Sequence, residues 1–159
     1  MTSNSALRTP ALIVIDVQRG FGDAEFWGPR NNLDCEDNIA ALIARWRERR
    51  WPVVFVQHDS DSPESPLHPD NPGHAFADAV TGTPDLLVRK RVNSSFHGAP
   101  DLHAWLAEEG LSEVVICGIA TNLHGEFATV LSTREVLERT RVMFDGGLPI
   151  KNPPKLTTL

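Results

Sequence analysis

The stretch Ala11-Leu12-Ile13-Val14-Ile15-Asp16 decides the fold. Five apolar residues in unbroken succession suit a strand buried on both faces, the pattern of a parallel sheet. The run stops at a carboxylate, Asp16, and a loop with Gly20, Gly22 and Gly28 follows. Downstream, Ile39, Leu42, Ile43 and Trp46 recur at helical spacing. Asp34 is placed to cap this helix, with Asp37 three residues later in a capping-box arrangement. Arg47, Arg49 and Arg50 fall near its end, where the helix dipole favours cations. Residues 53–56 read as a second buried strand.

Further out, residues 59–84 form a long loop rich in Pro, Asp, Ser and Gly, with one short helical turn expected around 74–80. Loops of this length in compact domains are functional or disordered. Residues 86–88 read as a third strand running into Lys90. Residues 100–109 read as a helix: Pro100 suits its first turn, Leu102, Trp105 and Leu106 its inner face, and Gly110 its end. Residues 114–117 are a fourth strand, closed by Gly118. Strands alternating with helices imply one α/β domain, a parallel sheet with helices on both faces in a Rossmann-like three-layer arrangement. Beyond it, Phe127, Val130, Leu131 and Leu137 suit a helix face, 141–144 a short strand, and 146–159 a loose tail.

Composition narrows the function. The chain has 159 residues, 41% hydrophobic and 23% charged, as in an ordinary globular domain. A net charge of -6 without a basic stripe argues against nucleic acid. No apolar run approaches membrane-spanning length and residues 1–9 carry no apolar signal region, so a reducing cytoplasm is the expected setting. Two cysteines, Cys35 and Cys117, make no disulfide framework. No G-x-G-x-x-G or P-loop motif is present, and no cofactor is expected. His58, Asp59, Asp61 and His68 make a loose oxygen and nitrogen cluster without metal-site spacing, so no metal is expected.

In a parallel α/β sheet, ligands bind beyond the carboxyl ends of the strands. That rule brings Asp16, Lys90 and the turn from Gly118 to Thr121 to one side. Asp16, after five apolar residues, is poorly solvated, and Lys90 can hold it ionised. So placed it suits acid or base work, but position alone equally allows a turn cap or a structural ion pair. Lys90 lies in a basic triplet, Arg89-Lys90-Arg91, yet alternation along a strand can turn it inward while its neighbours face out. Asn93, Ser94, Ser95 and Phe96 can line a pocket with Phe21, or form a plain polar turn.

With these residues in hand the chain resembles the isochorismatase-like family of cysteine hydrolases. Ile13-Val14-Ile15-Asp16-Val17-Gln18 with Gly20-Phe21 looks like its first strand and catalytic Asp. Leu86-Leu87-Val88 with Lys90 and Asn93-Ser94-Ser95-Phe96 looks like its lysine segment. Val115-Ile116-Cys117-Gly118-Ile119-Ala120-Thr121-Asn122 looks like the strand and turn before its nucleophile. The resemblance implies a hydrolase of small amides or related small molecules. In it a cysteine attacks, Asp16 moves the proton, Lys90 assists, and the turn holds the oxyanion through a cis peptide at Ile119-Ala120. Phe21, Asn93, Phe96, Ile119 and Ala120 become the substrate-binding positions.

The chain departs from the family at the nucleophile. The position six residues after Gly118 is His124. Either His124 substitutes there, or residues 123–130 match a later family segment and the chain is shortened near 120–123, with His124 an ordinary helix residue. The second reading leaves the sheet incomplete at its C-terminal side. It gives a hydrolase domain over 1–138 and a tail over 139–159. Lost elements expose apolar faces, so marginal stability or a homo-oligomer is expected. The resemblance also implies a thiol-free route, protonation of a vinyl ether by Asp16. Two non-hydrolytic alternatives stand beside these: a homologue that binds a small ligand or pairs with an intact subunit, and a truncated product without function.

Overall fold

The computed structural model describes residues 9–30, 32–119 and 131–140. Among the described residues there are four strands, β1 (Ala11–Ile15), β2 (Val53–His58), β3 (Leu86–Lys90) and β4 (Val114–Gly118). They form one parallel sheet in the order β3-β2-β1-β4. Its α-helices are α1 (Ala24–Trp27), α2 (Cys35–Arg49), α3 (Leu102–Glu108) and α4 (Thr133–Arg139). Among the described residues no helix is long and apolar enough to cross a membrane.

Alternation along each strand sorts the core into two layers. Leu12 and Val14 of β1 and Phe55 of β2 pack with Ile39, Leu42, Ile43 and Trp46 of α2. On the opposite face Ile13, Val54, Val56 and Val88 pack with Leu102 and Leu106 of α3. Trp46 is fully buried and donates its indole N–H to the Pro10 carbonyl at 2.8 Å, so its one polar atom is satisfied. β4 approaches β1 so closely that a Cβ on Gly118 would lie 2.3 Å from the Ile15 carbonyl oxygen.

Details at the element ends depart from the sequence reading. The capping box of Asp34 and Asp37 at α2 does not form: Asp34 is the N-cap without a side-chain bond. In the same first turn Glu36 is held by the Arg30 guanidinium at 2.5 and 2.6 Å. The helix expected from 100 starts at Leu102, because Asp101 stays extended and caps it by accepting from the Ala104 N–H at 2.9 Å. In the loop 59–84 the helical turn is a 3-10 turn at Pro72–His74, ahead of the expected place. That loop is ordered: Phe76, Ala77 and Val80 pack onto the α2 layer. α4, capped by a Ser132–Glu135 box, continues past 138 to Arg139 and buries Val136 and Thr140. Residues 127 and 130, the strand read at 141–144 and the tail at 146–159 lie outside the described residues.

Candidate active site

The chain runs from β1 to β2 and β3 on one side, then returns to β4 on the other. Such a reversal leaves a crevice at the strand ends. Here it is a cleft of about 550 Å³ whose lining includes Asp16, His58, Lys90, Phe21 and Phe96.

Asp16 follows β1 in the left-handed conformation, φ 56°. Asp tolerates that region better than most residues, yet it is an uncommon one and such strain clusters at functional sites. The turn is tied by the Asp16 N–H to the Val56 carbonyl at 3.0 Å and by the Gln18 N–H to the Asp16 carbonyl at 2.9 Å. The side chain is buried. Its Oδ2 accepts from Lys90 Nζ at 2.7 Å, while its Oδ1 has no hydrogen-bond partner among the described residues. A buried acceptor without a partner is costly and points to a role in binding or proton transfer.

Lys90 shares the face of Val88 on β3 and is itself buried at 3% exposure. Its neighbours turn outward: Arg89 bonds Asp59 at 2.9 Å and Arg91 bonds Asp61 at 2.9 Å. The triplet is thus divided by strand alternation. Lys90 also lies 3.4 Å from Nδ1 of His58, its register partner at the end of β2. Burial pushes the His58 pKa down and the Lys90 charge pushes it further, against a weaker pull from Asp16, Asp59 and Asp61.

Behind this group lies a second cluster. Gln18, almost fully buried, donates to the carbonyls of His58 at 3.0 Å and His74 at 2.8 Å and accepts from the His58 N–H at 2.9 Å. Gln57 donates to the His74 carbonyl at 2.9 Å, and Asp59 bonds the His74 ring at 2.8 Å. Burial opposes the charge of Asp59, but hydrogen bonds from Arg89 and His74 outweigh it and leave its pKa below the usual value. The loosely grouped His58, Asp59, Asp61 and His68 therefore point to different partners, His68 to Asp70.

The cleft walls are aromatic. Phe21 stacks on Trp27 with ring centroids 4.9 Å apart, and Phe96, half exposed, follows the polar residues Asn93, Ser94 and Ser95. Of the positions read from sequence, the cleft brings together Asp16, Lys90, Phe21, Asn93 and Phe96. Ile119 instead packs on the α2 layer, sharing the side of Cys117. Ala120, His124 and the Ile119-Ala120 bond lie outside the described residues, and the cis peptide among those described is Ala99-Pro100. The sequence reading passed over His58 and Trp27 as site residues. His58 shares the parity of Val54 and Val56, so strand alternation alone places it on the face of Lys90.

Neither thiol lines the cleft. Cys117 alternates with Ile116, which does line it, and Cys117 packs on the α2 face. Burial pushes its thiol up to about 12. Cys35, expected at the surface, is half-buried in the same layer with Sγ 3.8 Å from the Gly118 carbonyl. It opens α2, where the dipole favours a thiolate, but burial and then the charge of Glu36 raise its pKa against a smaller effect of Arg30.

The sequence and the fold both have counterparts. Residues 10–133 match the family model of the isochorismatase domain. The isochorismatase family protein YrdC of Bacillus subtilis, itself uncharacterized, is 42% identical over 112 residues, covering 70% of this chain and 59% of that one. An isochorismatase-family protein of Chromobacterium violaceum superimposes with a TM-score of 0.64 at 35% identity, covering 76% of this chain and 60% of that one. N-carbamoylsarcosine amidase of Thermoplasma acidophilum shares the fold alone, with a TM-score of 0.52 at 20% identity, covering 70% of this chain and 68% of that one. The chain thus spans about three fifths of the length of YrdC and of the Chromobacterium protein.

Proposed function

The chain belongs to the isochorismatase family, and from that premise we propose that it is a hydrolase acting on a small amide or related small molecule. The observation that carries the reading is the buried Asp16–Lys90 pair in the cleft, with Asp16 Oδ1 unpartnered among the described residues. In this reading Lys90 holds Asp16 charged and oriented, and Oδ1 is the atom that takes and returns a proton. In this reading the family's thiol has no counterpart here: a histidine, His124, stands six residues after Gly118, and both cysteines lie away from the cleft. Asp16 therefore draws a proton from an attacking water as its oxygen bonds the carbonyl carbon. The proton passes to the leaving nitrogen as the C–N bond breaks. In its protonated form the same carboxyl suits protonation of a vinyl ether.

The domain in this proposal covers 1–138, with a tail over 139–159 and a shortening near 120–123. The family match over 10–133 supports its extent. Self-association belongs to the same reading, supported by Val114, 40% exposed on β4, which is the outer strand among the described residues.

The two thiols on the far face favour a second reading, a homologue that binds a small ligand without turnover or pairs with an intact subunit. Ammonia release from a panel of small neutral amides decides between them. Turnover that falls about 10²- to 10⁴-fold in Asp16→Asn supports the hydrolase. Saturable binding of the same amides without ammonia release replaces it with the binder.

A further inference from the structure

We infer that His58 is a neutral hydrogen-bond donor to the substrate, held as the Nε2–H tautomer by Lys90, and that with Asp16 Oδ1 it selects carboxamide head groups over carboxylates. This deepens the small-amide reading of the cleft and rests on it. The argument starts from Lys90. An ammonium group has donors only, so its approach to His58 Nδ1 at 3.4 Å requires a lone pair on that nitrogen. The ring proton then resides on Nε2, on the other side of the imidazole. No described residue bonds Nε2, and the side chain lines the cleft. The backbone of His58 is fixed through both its N–H and its carbonyl by Gln18, which sets where its side chain enters the cleft.

The charged groups around the ring act in both directions. Lys90 on β3 opposes protonation, as does burial, while Asp16 after β1 and Asp59 and Asp61 in the following loop favour it. Burial and Lys90 prevail and hold the His58 pKa below its usual value.

At the strand ends the cleft therefore offers a donor, His58 Nε2–H, and a buried unpartnered acceptor, Asp16 Oδ1, besides the polar side chains of the turn from Asn93 to Ser95. A carboxamide presents the complementary pair, a carbonyl oxygen and an N–H. A carboxylate has two acceptors and sets one against Asp16, leaving a like charge and an unpaired atom. Such mismatches discriminate more strongly than added apolar surface. Hydrolysis of an amide turns the preferred head group into the rejected one, which favours release of the product. The flat walls of Phe21 and Phe96 suit benzamide and benzoate as probes of the head group.

The test is long-range proton–nitrogen NMR of the ¹⁵N-histidine-labelled chain, the His58 signals being those lost in His58→Gln. The expected spectrum shows unprotonated Nδ1 and protonated Nε2 at neutral pH, with Lys90→Met raising the His58 pKa. Benzamide shifts the Nε2 signal and binds at least about tenfold more tightly than benzoate, and His58→Phe removes that preference. An Nδ1–H tautomer, a cationic ring at neutral pH, or equal binding of the two probes overturns the inference. These readouts need no turnover, and the preference for benzamide over benzoate is read on the wild-type chain without any variant. Correct tautomer and preference without ammonia release uphold the inference and sink the hydrolase alone; amide turnover with the other tautomer does the reverse.

Discussion

At the scale of single residues, the ion pair of Asp16 and Lys90 is an expensive object. Both groups are buried, and desolvation of two charges rivals their attraction. Removing one partner leaves a buried unpaired charge. Lys90→Met is therefore expected to cost about 3–5 kcal/mol in urea denaturation. The double variant Asp16→Asn, Lys90→Met recovers at least about 2 kcal/mol of that loss. Asn is the choice at 16 because it tolerates φ 56°. A double variant no more stable than Lys90→Met makes the pair a structural requirement and weakens the catalytic reading. The pH response separates two further residues. Burial and Lys90 depress the His58 pKa, so the folded state favours the neutral ring. The unfolded chain then holds the extra proton, and stability falls as pH drops below about 6.5. Asp59 also has a depressed pKa, so its contribution is present above about 3.9 and is lost as pH falls through the folded value. Urea midpoints on acidification should fall in two stages. His58→Gln removes the first and Asp59→Asn shrinks the second; an unchanged first stage in His58→Gln excludes a depressed His58.

At the scale of elements, the site depends on how the loop 59–84 is fastened. Gln18 joins the turn after β1 to the end of β2 and to the 3-10 turn Pro72–His74 through three hydrogen bonds. Gln18→Ala strands the His58 N–H and carbonyl in a buried place and is expected to cost about 2 kcal/mol or more. Hydrogen exchange should rise at 59–84 and leave α2 unchanged; a uniform rise along the chain denies the clamp. How legible this arrangement is from sequence depends on the range of each interaction. β1 is read correctly because an apolar run needs no partner to be recognised. Lys90 and Asp16 are legible as strand ends because the topological rule holds for any parallel sheet. The α2 cap is misread because spacing places Asp34 and Asp37 in register but does not show whether their side chains reach the backbone. The fastening of the loop is hidden from spacing too. Gln18 and His74 are 56 positions apart, and only the folded chain makes them neighbours.

At the scale of the molecule, the sheet divides the chemistry. The charged cleft opens at the strand ends over the α3 face, while both thiols lie in the α2 layer. That layer carries Trp46 and closes on α4 through bonds from Arg45 and Arg49 to the carbonyls of Leu137 and Thr140. Thiol reactivity is thus a report on opening of the core rather than on catalysis. Burial pushes the Cys117 thiol up to about 12 and so suppresses its thiolate. Iodoacetamide should label Cys117 at least about 100-fold more slowly in the folded chain than in urea. Cys35 should also be slowed, by burial and by Glu36. Trp46→Phe removes the indole bond to Pro10 and leaves a cavity, at a cost of about 1–3 kcal/mol. It should accelerate both cysteines together, because each waits on the same opening. Fast labelling of Cys35 alone in the folded chain would instead mean that the α2 N-terminus activates it. The thiol would then be a live nucleophile, and the assignment of the chemistry to Asp16 without a thiol would fall.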